Sequence, residues 1–431
     1  MSGKDLTNMN KAYLLLSALS LAVLPALAKP SAGDVTLTQH PDTRRVEIAY
    51  TLANEPAIVT LDIQTNGVSI GAANFVNITG DVNRKVQPGE DKTISWRPFE
   101  SWPGHRFTDG SVKAVVTAWA TNAPPDYLVI DTTTLSPNDF AFYPSAEAVP
   151  FGVTNDIYKT SKLVMRRIHA TGVIWRMGEI LSDAPTTAIQ SYDVAHLVTL
   201  TDDYYLGIYE VTQKHWQNIY SGAGAGGSKA QPSGYTAADR DVHPVESIAW
   251  KVVRGDGDSG AAYNWPLNGH DVNGGYFLGK LRSKTKLLFD LPTMAQWEFA
   301  CRAGTTGTNN VFGVSLDETA WNPGNATTSM PVGLKKPNAW GLYDMLGNVE
   351  ELCLDRKGTT IDYNVDGTPI VDPTGPTATT GNRLRRGGGF VSDTDTTNPY
   401  WCRPGVTRTG WSQGAANKCM GFRLWCPAVV P

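Results

Sequence analysis

The segment from Trp340 to Cys353, W-G-L-Y-D-M-L-G-N-V-E-E-L-C, constrains the fold more than any other part of the sequence. Its apolar residues can anchor a core, while Gly341 and Gly347 permit a sharply bent backbone. Asp344 and Glu351 place carboxylates along the same short loop, and calcium takes oxygen ligands from side chains and from backbone carbonyls. Two interpretations stay open, a calcium loop or an ordinary turn before a capped helix, because the twelve-residue EF-hand spacing is absent.

The N-terminus has the pattern of a processing segment. Lys4 and Lys11 precede an apolar run over residues 13–27, and Ala26-Leu27-Ala28 forms a small-x-small cleavage site. The run is short for a membrane span of about 20 residues. We therefore expect a signal peptide over residues 1–28, cleavage after Ala28, and a secreted, periplasmic or cell-surface protein with no stable membrane span. The alternative is an uncleaved anchor.

Residues 29–134 show short runs of alternating apolar and polar residues, separated by turn sequences such as N-G and P-G. This spacing predicts an antiparallel β-sandwich, similar in pattern to immunoglobulin or fibronectin type III modules. Residues 135–161 contain three prolines and are predicted to be a connection. The last predicted domain covers residues 162–431.

Charge and cysteine patterns exclude several classes of function. The net charge is -4 and no basic block is present, so nucleic acid is not an expected partner. No C-x-x-C pair occurs, which argues against a zinc ribbon or a thioredoxin-type site. An odd number of cysteines leaves at least one thiol without an intrachain partner; the five are Cys301, Cys353, Cys402, Cys419 and Cys426.

A short helix is predicted within L-P-T-M-A-Q-W-E-F-A-C-R-A-G, from Leu291 to Gly304. The hydroxyl of Thr293 can accept a hydrogen bond from a free backbone N–H, and Gln296 completes a capping box. Gly304 suits the left-handed position after the helix. The pattern indicates a structural element.

A series of such blocks, in one order, resembles the formylglycine-generating enzyme, or sulfatase-modifying factor, family. The resemblance covers roughly residues 162–431 and implies an α+β, C-type-lectin-like fold with few helices and many ordered loops. Asp290 departs from the family pattern, which usually has arginine before L-P-T. The main blocks are Val173–Gly178, Tyr204–Gln213, His243–Trp250, Leu291–Gly304, Trp321–Asn338, Trp340–Glu351, Arg385–Phe390 and Gly421–Leu424.

The resemblance also implies where copper chemistry would reside. Formylglycine-generating members bind Cu(I) with two cysteines after the R-G-G segment, and soft thiolates select that ion. Here the two positions fall on Ser392 and Cys402. Because serine cannot replace a thiolate, we do not expect a Cu(I) site. Cys402 remains the one catalytic candidate, and its alternative is a structural thiol. The three-histidine iron pattern of other family members is also absent.

The calcium position of the family is better matched. The resemblance implies that Ca²⁺ would be held by the side chains of Asp344 and Glu351 and by the carbonyls of Gly347 and Val349. Glu350 stands where the family usually has tryptophan.

We expect two disulfides, Cys301 with Cys426 and Cys402 with Cys419, which leaves Cys353 without an intrachain partner. In relatives, a cysteine on the L-P-T helix tends to pair with one near the G-F-R strand. Connectivity does not follow from the sequence.

Two functional hypotheses remain. The first is a non-catalytic, calcium-stabilised, lectin-like module that binds an extracytoplasmic protein or a glycan. Its C-terminal loops carry Tyr400, Trp401 and Trp411 among small polar residues, a mix that suits recognition; packing is the alternative role of these rings. The second hypothesis is a variant metal-dependent oxidoreductase acting on a protein or small thiol. The oligomeric state does not follow from these patterns.

Overall fold

The computed structural model describes residues 28–430, except 106–109, 135, 137–139, 180–192, 221–230, 257–261, 308–312, 358–366, 378–380, 392–398, 409–411 and 413. The predicted signal peptide therefore lies almost entirely outside the described residues. No helix within the described part of the chain is both long and apolar enough to span a membrane.

Strands outnumber helices throughout. The first strands are β1 (Ser31–His40), β2 (Arg45–Ala53), β3 (Ala57–Thr65), β4 (Val68–Ser69), β5 (Ile78–Gly80), β6 (Arg84–Val86), β7 (Gly89–Trp96) and β8 (Val112–Ala120). They are followed by β9 (Tyr127–Asp131), β10 (Phe140–Tyr143), β11 (Lys162–Ile168), β12 (Ile174–Met177), β13 (His196–Thr199) and β14 (Tyr204–Gly207). The last are β15 (Glu350–Arg356), β16 (Ile370–Val371), β17 (Arg383–Arg386), β18 (Met420–Gly421) and β19 (Trp425–Pro427).

The α-helices are short. They are α1 (Pro98–Ser101), α2 (Ile157–Thr160), α3 (Gln213–Tyr220), α4 (Trp250–Arg254), α5 (Phe277–Thr285), α6 (Met294–Arg302) and α7 (Leu316–Thr319). This content confirms the α+β fold class.

The N-terminal strands form two four-stranded antiparallel sheets. One has the order β1-β2-β7-β5, and the other joins β4-β3-β6 with β8 paired to β3. Burial alternates strictly along β2, as expected for a strand with one face on a core. Ile48, Ile63 and Trp96 are fully buried in the core that the two sheets share. The predicted β-rich N-terminal module is therefore present.

The second part of the chain is built on a five-stranded sheet of order β10-β9-β11-β14-β19. Two three-stranded sheets, β12-β13-β16 and β17-β15-β18, complete it, and each contains one parallel pair. Strands β9 and β10 lie on either side of residue 134, where the sequence predicted the end of the sandwich. Residues 135–161, predicted as a connection, thus contribute a sheet strand and α2. Pro144 directly follows β10 and ends it.

Helix α6 forms as the sequence predicts. The Thr293 hydroxyl accepts from the Gln296 N–H at 3.2 Å, and the Gln296 side chain accepts from the Thr293 N–H at 2.9 Å. Ala303 and Gly304 both have positive φ after the last turn. Trp297 and Ala300 are fully buried, so α6 packs its apolar face beneath the loop that precedes β15.

Candidate functional site

The loop before β15 is sharply bent, as its glycines predicted. Asp344, Gly347 and Asn348 all have positive φ angles, of 52°, 81° and 55°. A Cβ on Gly347 would lie 2.3 Å from the carbonyl oxygen of Trp321. The backbone N–H of Gly347 donates to the Gly387 carbonyl at 2.8 Å. Glycine at this position is therefore required by both the φ angle and the close backbone approach.

The carboxylate of Asp344 is buried in this loop, with 2% of the residue exposed. Its Oδ2 accepts from the Gly333 N–H at 2.7 Å, while Oδ1 has no hydrogen-bond partner among the described residues. Burial raises the pKa of Asp344 to about 6, against the lowering effect of the Gly333 hydrogen bond and of Arg423. A buried oxygen without a partner is costly unless something binds it.

The Glu351 carboxylate is hydrogen-bonded to other side chains of the protein. Arg423 donates to it from Nε at 2.6 Å and from Nη2 at 2.5 Å, and the indole of Trp297 donates at 2.6 Å. All three residues are buried. Of the two predicted side-chain ligands for calcium, Glu351 is therefore already neutralised by a guanidinium.

A third buried carboxylate, that of Glu210, was not among the predicted site residues. It accepts from Asn348 Nδ2 at 2.7 Å and from the Val349 N–H at 3.0 Å. Burial, together with Asp344 and Glu351 nearby, raises the pKa of Glu210 well above its ordinary value. The signal available in the sequence was a glutamate enclosed by apolar residues in Y-E-V-T, since a buried acid needs a partner.

The charges of the buried carboxylates decide whether the loop before β15 can bind calcium. Glu210, Asp344 and Glu351 face a single guanidinium, that of Arg423, and the Lys159 ammonium that also lowers the pKa of Asp344 is paired with Asp156. Full ionisation would therefore leave excess negative charge around the loop. That charge and the unpartnered Asp344 Oδ1 suit a divalent cation. Within the described residues, no three His, Cys, Asp or Glu side chains converge to form a metal cluster. A calcium ion here would depend on Asp344 and on the carbonyls of Gly347 and Val349, with Glu351 turned to Arg423.

Cys402 lies against the same loop. It is 2% exposed, and burial with the nearby charge of Glu350 raises the pKa of its thiol to about 12, although a backbone hydrogen bond from Gly347 opposes the shift. A thiol with such a high pKa carries almost no thiolate at neutral pH. Ser392, the other position of the family's thiol pair, lies outside the described residues.

The predicted disulfides are wrong, because all five cysteines are buried and none of them forms a disulfide. Cys301 packs in one hydrophobic cluster and Cys426 in another. Cys402 and Cys419 likewise belong to different clusters. The five thiols act as small core residues.

Glu350, which stands where the family usually has tryptophan, is part of a buried cluster of charged side chains. Arg385 Nη1 lies 2.9 Å from one carboxylate oxygen, and Arg408 Nε donates to the other at 3.0 Å. The Arg408 guanidinium also stacks 4.1 Å from the centroid of the Trp401 ring. Glu350 is therefore held by two ionic contacts, and one of its arginine partners also makes a cation–π contact.

Two of the three aromatic residues predicted to bind a ligand lie in the described part of the chain. Tyr400 is only 6% exposed, because it packs against Trp401 and beneath the Arg403 guanidinium at 4.6 Å. Trp401 is half-buried. Trp411 lies outside the described residues. The burial of Tyr400 favours packing, which was the alternative role of these rings.

Several known proteins are similar to this chain in sequence. Residues 166–426 match the family described as the sulfatase-modifying factor enzyme 1-like domain. The chaperone protein LppX of Paenibacillus barcinonensis is 28% identical over 244 residues, which cover 46% of this chain and 73% of that protein. The formylglycine-generating enzyme of Streptomyces coelicolor is 33% identical over 31% of this chain, and the match spans 45% of that enzyme.

The solved structure of Treponema denticola variable protein 1 is also similar. It is 25% identical, with a TM-score of 0.46, and the match covers 62% of this chain and 95% of that protein. Because the family match extends over more than half of the sequence, this chain belongs to the sulfatase-modifying factor enzyme 1-like family.

Proposed function

We propose that this chain is a non-catalytic member of its family, an exported and calcium-stabilised module that binds an extracytoplasmic protein or a glycan. The proposal rests mainly on the environment of the Cys402 thiol. This thiol is buried near the Glu350 carboxylate, which is paired with Arg385 and Arg408, and burial raises the pKa of the thiol to about 12. A Cu(I) site needs two accessible soft thiolates, and the sequence has serine at the partner position.

Calcium has a structural role in this proposal. Asp344 and the carbonyls of Gly347 and Val349 would hold the ion, with Glu351 as an outer partner through Arg423. The ion would supply positive charge to a loop in which buried carboxylates outnumber guanidinium groups. Bound calcium would hold the bent backbone rigid and keep Asp344 ionised.

Two further observations support an exported binding role. Buried thiols with raised pKa values react slowly, so they can persist in an oxidising compartment. One relative is named as a chaperone protein, and its match spans 73% of its length. Partner binding without catalysis is compatible with that name.

Thermal unfolding of the purified full chain, with Ca²⁺ or with EDTA, tests the calcium assignment. A ligand at a hundredfold excess over its Kd stabilises the folded state by about 2.7 kcal/mol. We expect Ca²⁺ to raise Tm, Mg²⁺ to raise it less, and Asp344→Asn to remove the difference. Asp91→Asn, an exposed change in β7, is the matched control and should retain it. Equal Tm values with Ca²⁺ and EDTA would overturn the calcium assignment.

A further inference from the structure

The three-stranded sheet β12-β13-β16 carries aliphatic side chains on an exposed face. Ile174 lies opposite Thr199 on β13, and Thr199 lies opposite Val371 on β16. Residues directly opposite one another point to the same face of a sheet. Ile174 is 61% exposed, Val371 is 58% exposed, and Val173, which directly precedes β12, is 42% exposed. We call Val173, Ile174 and Val371 the aliphatic patch.

The other face of this sheet is packed on the core. Val198, which precedes Thr199 on β13, is fully buried and belongs to the same hydrophobic cluster as Met177 of β12. The sheet therefore has one face on the core and one face that the described residues leave open. Contiguous apolar side chains on an open face mark a contact with another molecule.

Two carboxylates lie at one end of the aliphatic patch. Asp372 directly follows Val371, and its backbone N–H donates to the Thr199 carbonyl at 3.0 Å. The Thr201 hydroxyl is 2.6 Å from Asp372 Oδ2 and 3.2 Å from Asp202 Oδ2, so both carboxylates contact one hydroxyl. Both aspartates are exposed. Like charges this close repel each other, and a cation bound between them relieves the repulsion.

A cavity of about 310 Å³ adjoins this acidic pair, Asp202 and Asp372, which are among its lining residues. Val429 also lines the cavity and is 53% exposed. The aromatic rings in its wall offer little surface, since Trp265 and Trp425 are only 7% and 6% exposed. No Lys or Arg is among the described residues that line the cavity. The accessible surface at this end of the aliphatic patch is therefore acidic and aliphatic.

This combination fits the side chain of a lysine or an arginine. Such a side chain has a long apolar stem and a cationic head. The stem can lie on Val371 and Val429 while the head binds Asp202 and Asp372 through charge-assisted hydrogen bonds. An anion is repelled by the same carboxylates. A neutral apolar group would displace water from the carboxylates and give no hydrogen bond in return.

The opposite charge stands at the other end of the aliphatic patch. Arg176 is two residues beyond Ile174 on β12, lies opposite Leu197 and is exposed. Side chains two positions apart on a strand point to the same face. Because β12 is antiparallel to β13 and β16 is parallel to it, Arg176 and Asp372 lie on opposite sides of the row from Ile174 to Val371. A bound segment therefore places its basic residue at Asp372 and away from Arg176.

The size of the face favours a short segment over a second copy of the chain. The three strands are about 4.8 Å apart and β12 is about 13 Å long, so the face covers on the order of 130 Å². Stable interfaces bury about 800 Å² on each partner. We propose that the aliphatic patch and the acidic pair bind a short segment of an extracytoplasmic protein, in which aliphatic residues adjoin a lysine or an arginine. This inference rests on the proposed function, since it names the class of partner.

Fluorescence anisotropy of the full chain with labelled peptides tests the inference. The probes are two eight-residue peptides in which two valines precede or follow one lysine, with serine at the other positions. At least one peptide should bind with a Kd of about 1 mM or below. Exchange of its lysine for glutamate should abolish binding. Binding should also weaken as salt is raised, because exposed ion pairs are screened.

Variants of the chain locate the binding surface. Asp202→Asn and Asp372→Asn should each weaken binding about threefold, as expected for the loss of one exposed ion pair. Ile174→Ser should weaken binding about fivefold through the loss of apolar contact. The matched controls are Asp91→Asn in β7 and Val68→Ser in β4, where the valine is 68% exposed, and both should bind as the unaltered chain does. Thermal unfolding confirms that each variant is folded.

Several results would overturn the inference. These are no binding of either lysine peptide, equal binding of the glutamate peptides, or peptide binding that Asp202→Asn, Asp372→Asn and Ile174→Ser all leave unchanged. Equal affinity for free putrescine would make the occupant a small amine. A dimer in sedimentation that Ile174→Ser dissociates would make it a second copy of the chain.

Failure of this inference is distinguishable from failure of the proposed function. A chain that responds to calcium, lacks Cu(I) binding and binds neither lysine peptide would overturn the peptide assignment alone. Stoichiometric Cu(I) binding would overturn the proposed function and leave a positive peptide result intact.

Discussion

Arg423 donates two hydrogen bonds to the Glu351 carboxylate, from Nε to Oε2 at 2.6 Å and from Nη2 to Oε1 at 2.5 Å, and both side chains are buried. The remaining donors of Arg423 reach the carbonyls of Gly207 and Tyr343. Trp297 of α6 completes the set by donating to Glu351. One guanidinium thus joins β14, the bent loop, β15 and the segment before β19, which belong to three of the blocks that resemble the family.

Removal of Arg423 should be strongly destabilising. Arg423→Met leaves the Glu351 carboxylate buried without its charge partner, and breaking a buried pair in this way costs about 3–5 kcal/mol. Urea unfolding measures the change in free energy of unfolding. Arg176→Met, on the exposed side of β12, should change it by less than about 0.5 kcal/mol. A loss below about 1 kcal/mol for Arg423→Met would show that Glu351 finds another partner.

The Gly347 position should tolerate no side chain. Gly347→Ala combines an unfavourable φ of 81° with a clash against the Trp321 carbonyl at 2.3 Å, and should cost about 3 kcal/mol or more. Gly304→Ala has a similar φ of 87° but meets nothing within 4 Å, and should cost about 1 kcal/mol. The difference between the two variants in urea unfolding isolates the clash. Equal losses would mean that the loop moves away from Trp321.

Stability should fall as pH rises from about 5 to about 7, because several buried acids, Glu179 and Asp193 among them, hold their protons in the folded state. Burial and the neighbouring Glu298 raise the pKa of Glu179 to about 7, and burial raises that of Asp193 to about 7. A raised folded pKa gives stability at low pH that is lost as pH passes through it. Each group contributes a slope of up to about 1.4 kcal/mol per pH unit.

Glu179→Gln tests this pH dependence. The amide keeps an oxygen for the Gly405 N–H, which donates to Glu179 at 3.1 Å, but it does not titrate. The decline of unfolding free energy between pH 5 and pH 7 should therefore become shallower in the variant. Glu90→Gln, exposed at the start of β7, should leave the slope unchanged. An unaltered slope in Glu179→Gln would show that this residue is ionised throughout the range.

All five cysteines should be reduced, and their thiols should react slowly in the folded chain. Burial raises the pKa values of Cys402 and Cys426 to about 12, and those of Cys301 and Cys353 also upward. Titration with a thiol reagent, without added reductant, should find almost none in the folded chain and five after denaturation. Three thiols after denaturation would reveal one disulfide, and one would reveal two.

The features that sequence reasoning predicted well depend on near neighbours in the chain. The residues that cap α6, Thr293 and Gln296, are three positions apart. The buried face of β2 follows from the alternation of apolar and polar residues along the strand. The bend at Gly347 likewise follows from local backbone freedom. Each of these can be read within a window of a few residues.

The features that could not be predicted from the sequence are contacts between residues far apart in the chain. Glu351 and Arg423 are 72 positions apart, and Glu210 meets Asn348 across 138. Which buried charge finds which partner depends on the complete fold. The disulfide prediction failed for the same reason, since the face of a strand does not fix which side chains approach each other. The three prolines of residues 135–161 suggested a connection, although β10 forms between them.

The central claim is that this chain keeps the family fold without its copper chemistry. Competitive titration of the reduced, purified full chain with Cu(I), against a chromogenic chelator, tests it most directly. The account predicts no stoichiometric Cu(I) binding, and no difference between the unaltered chain and Cys402→Ser. One equivalent of tightly bound Cu(I) that Cys402→Ser abolishes would contradict it.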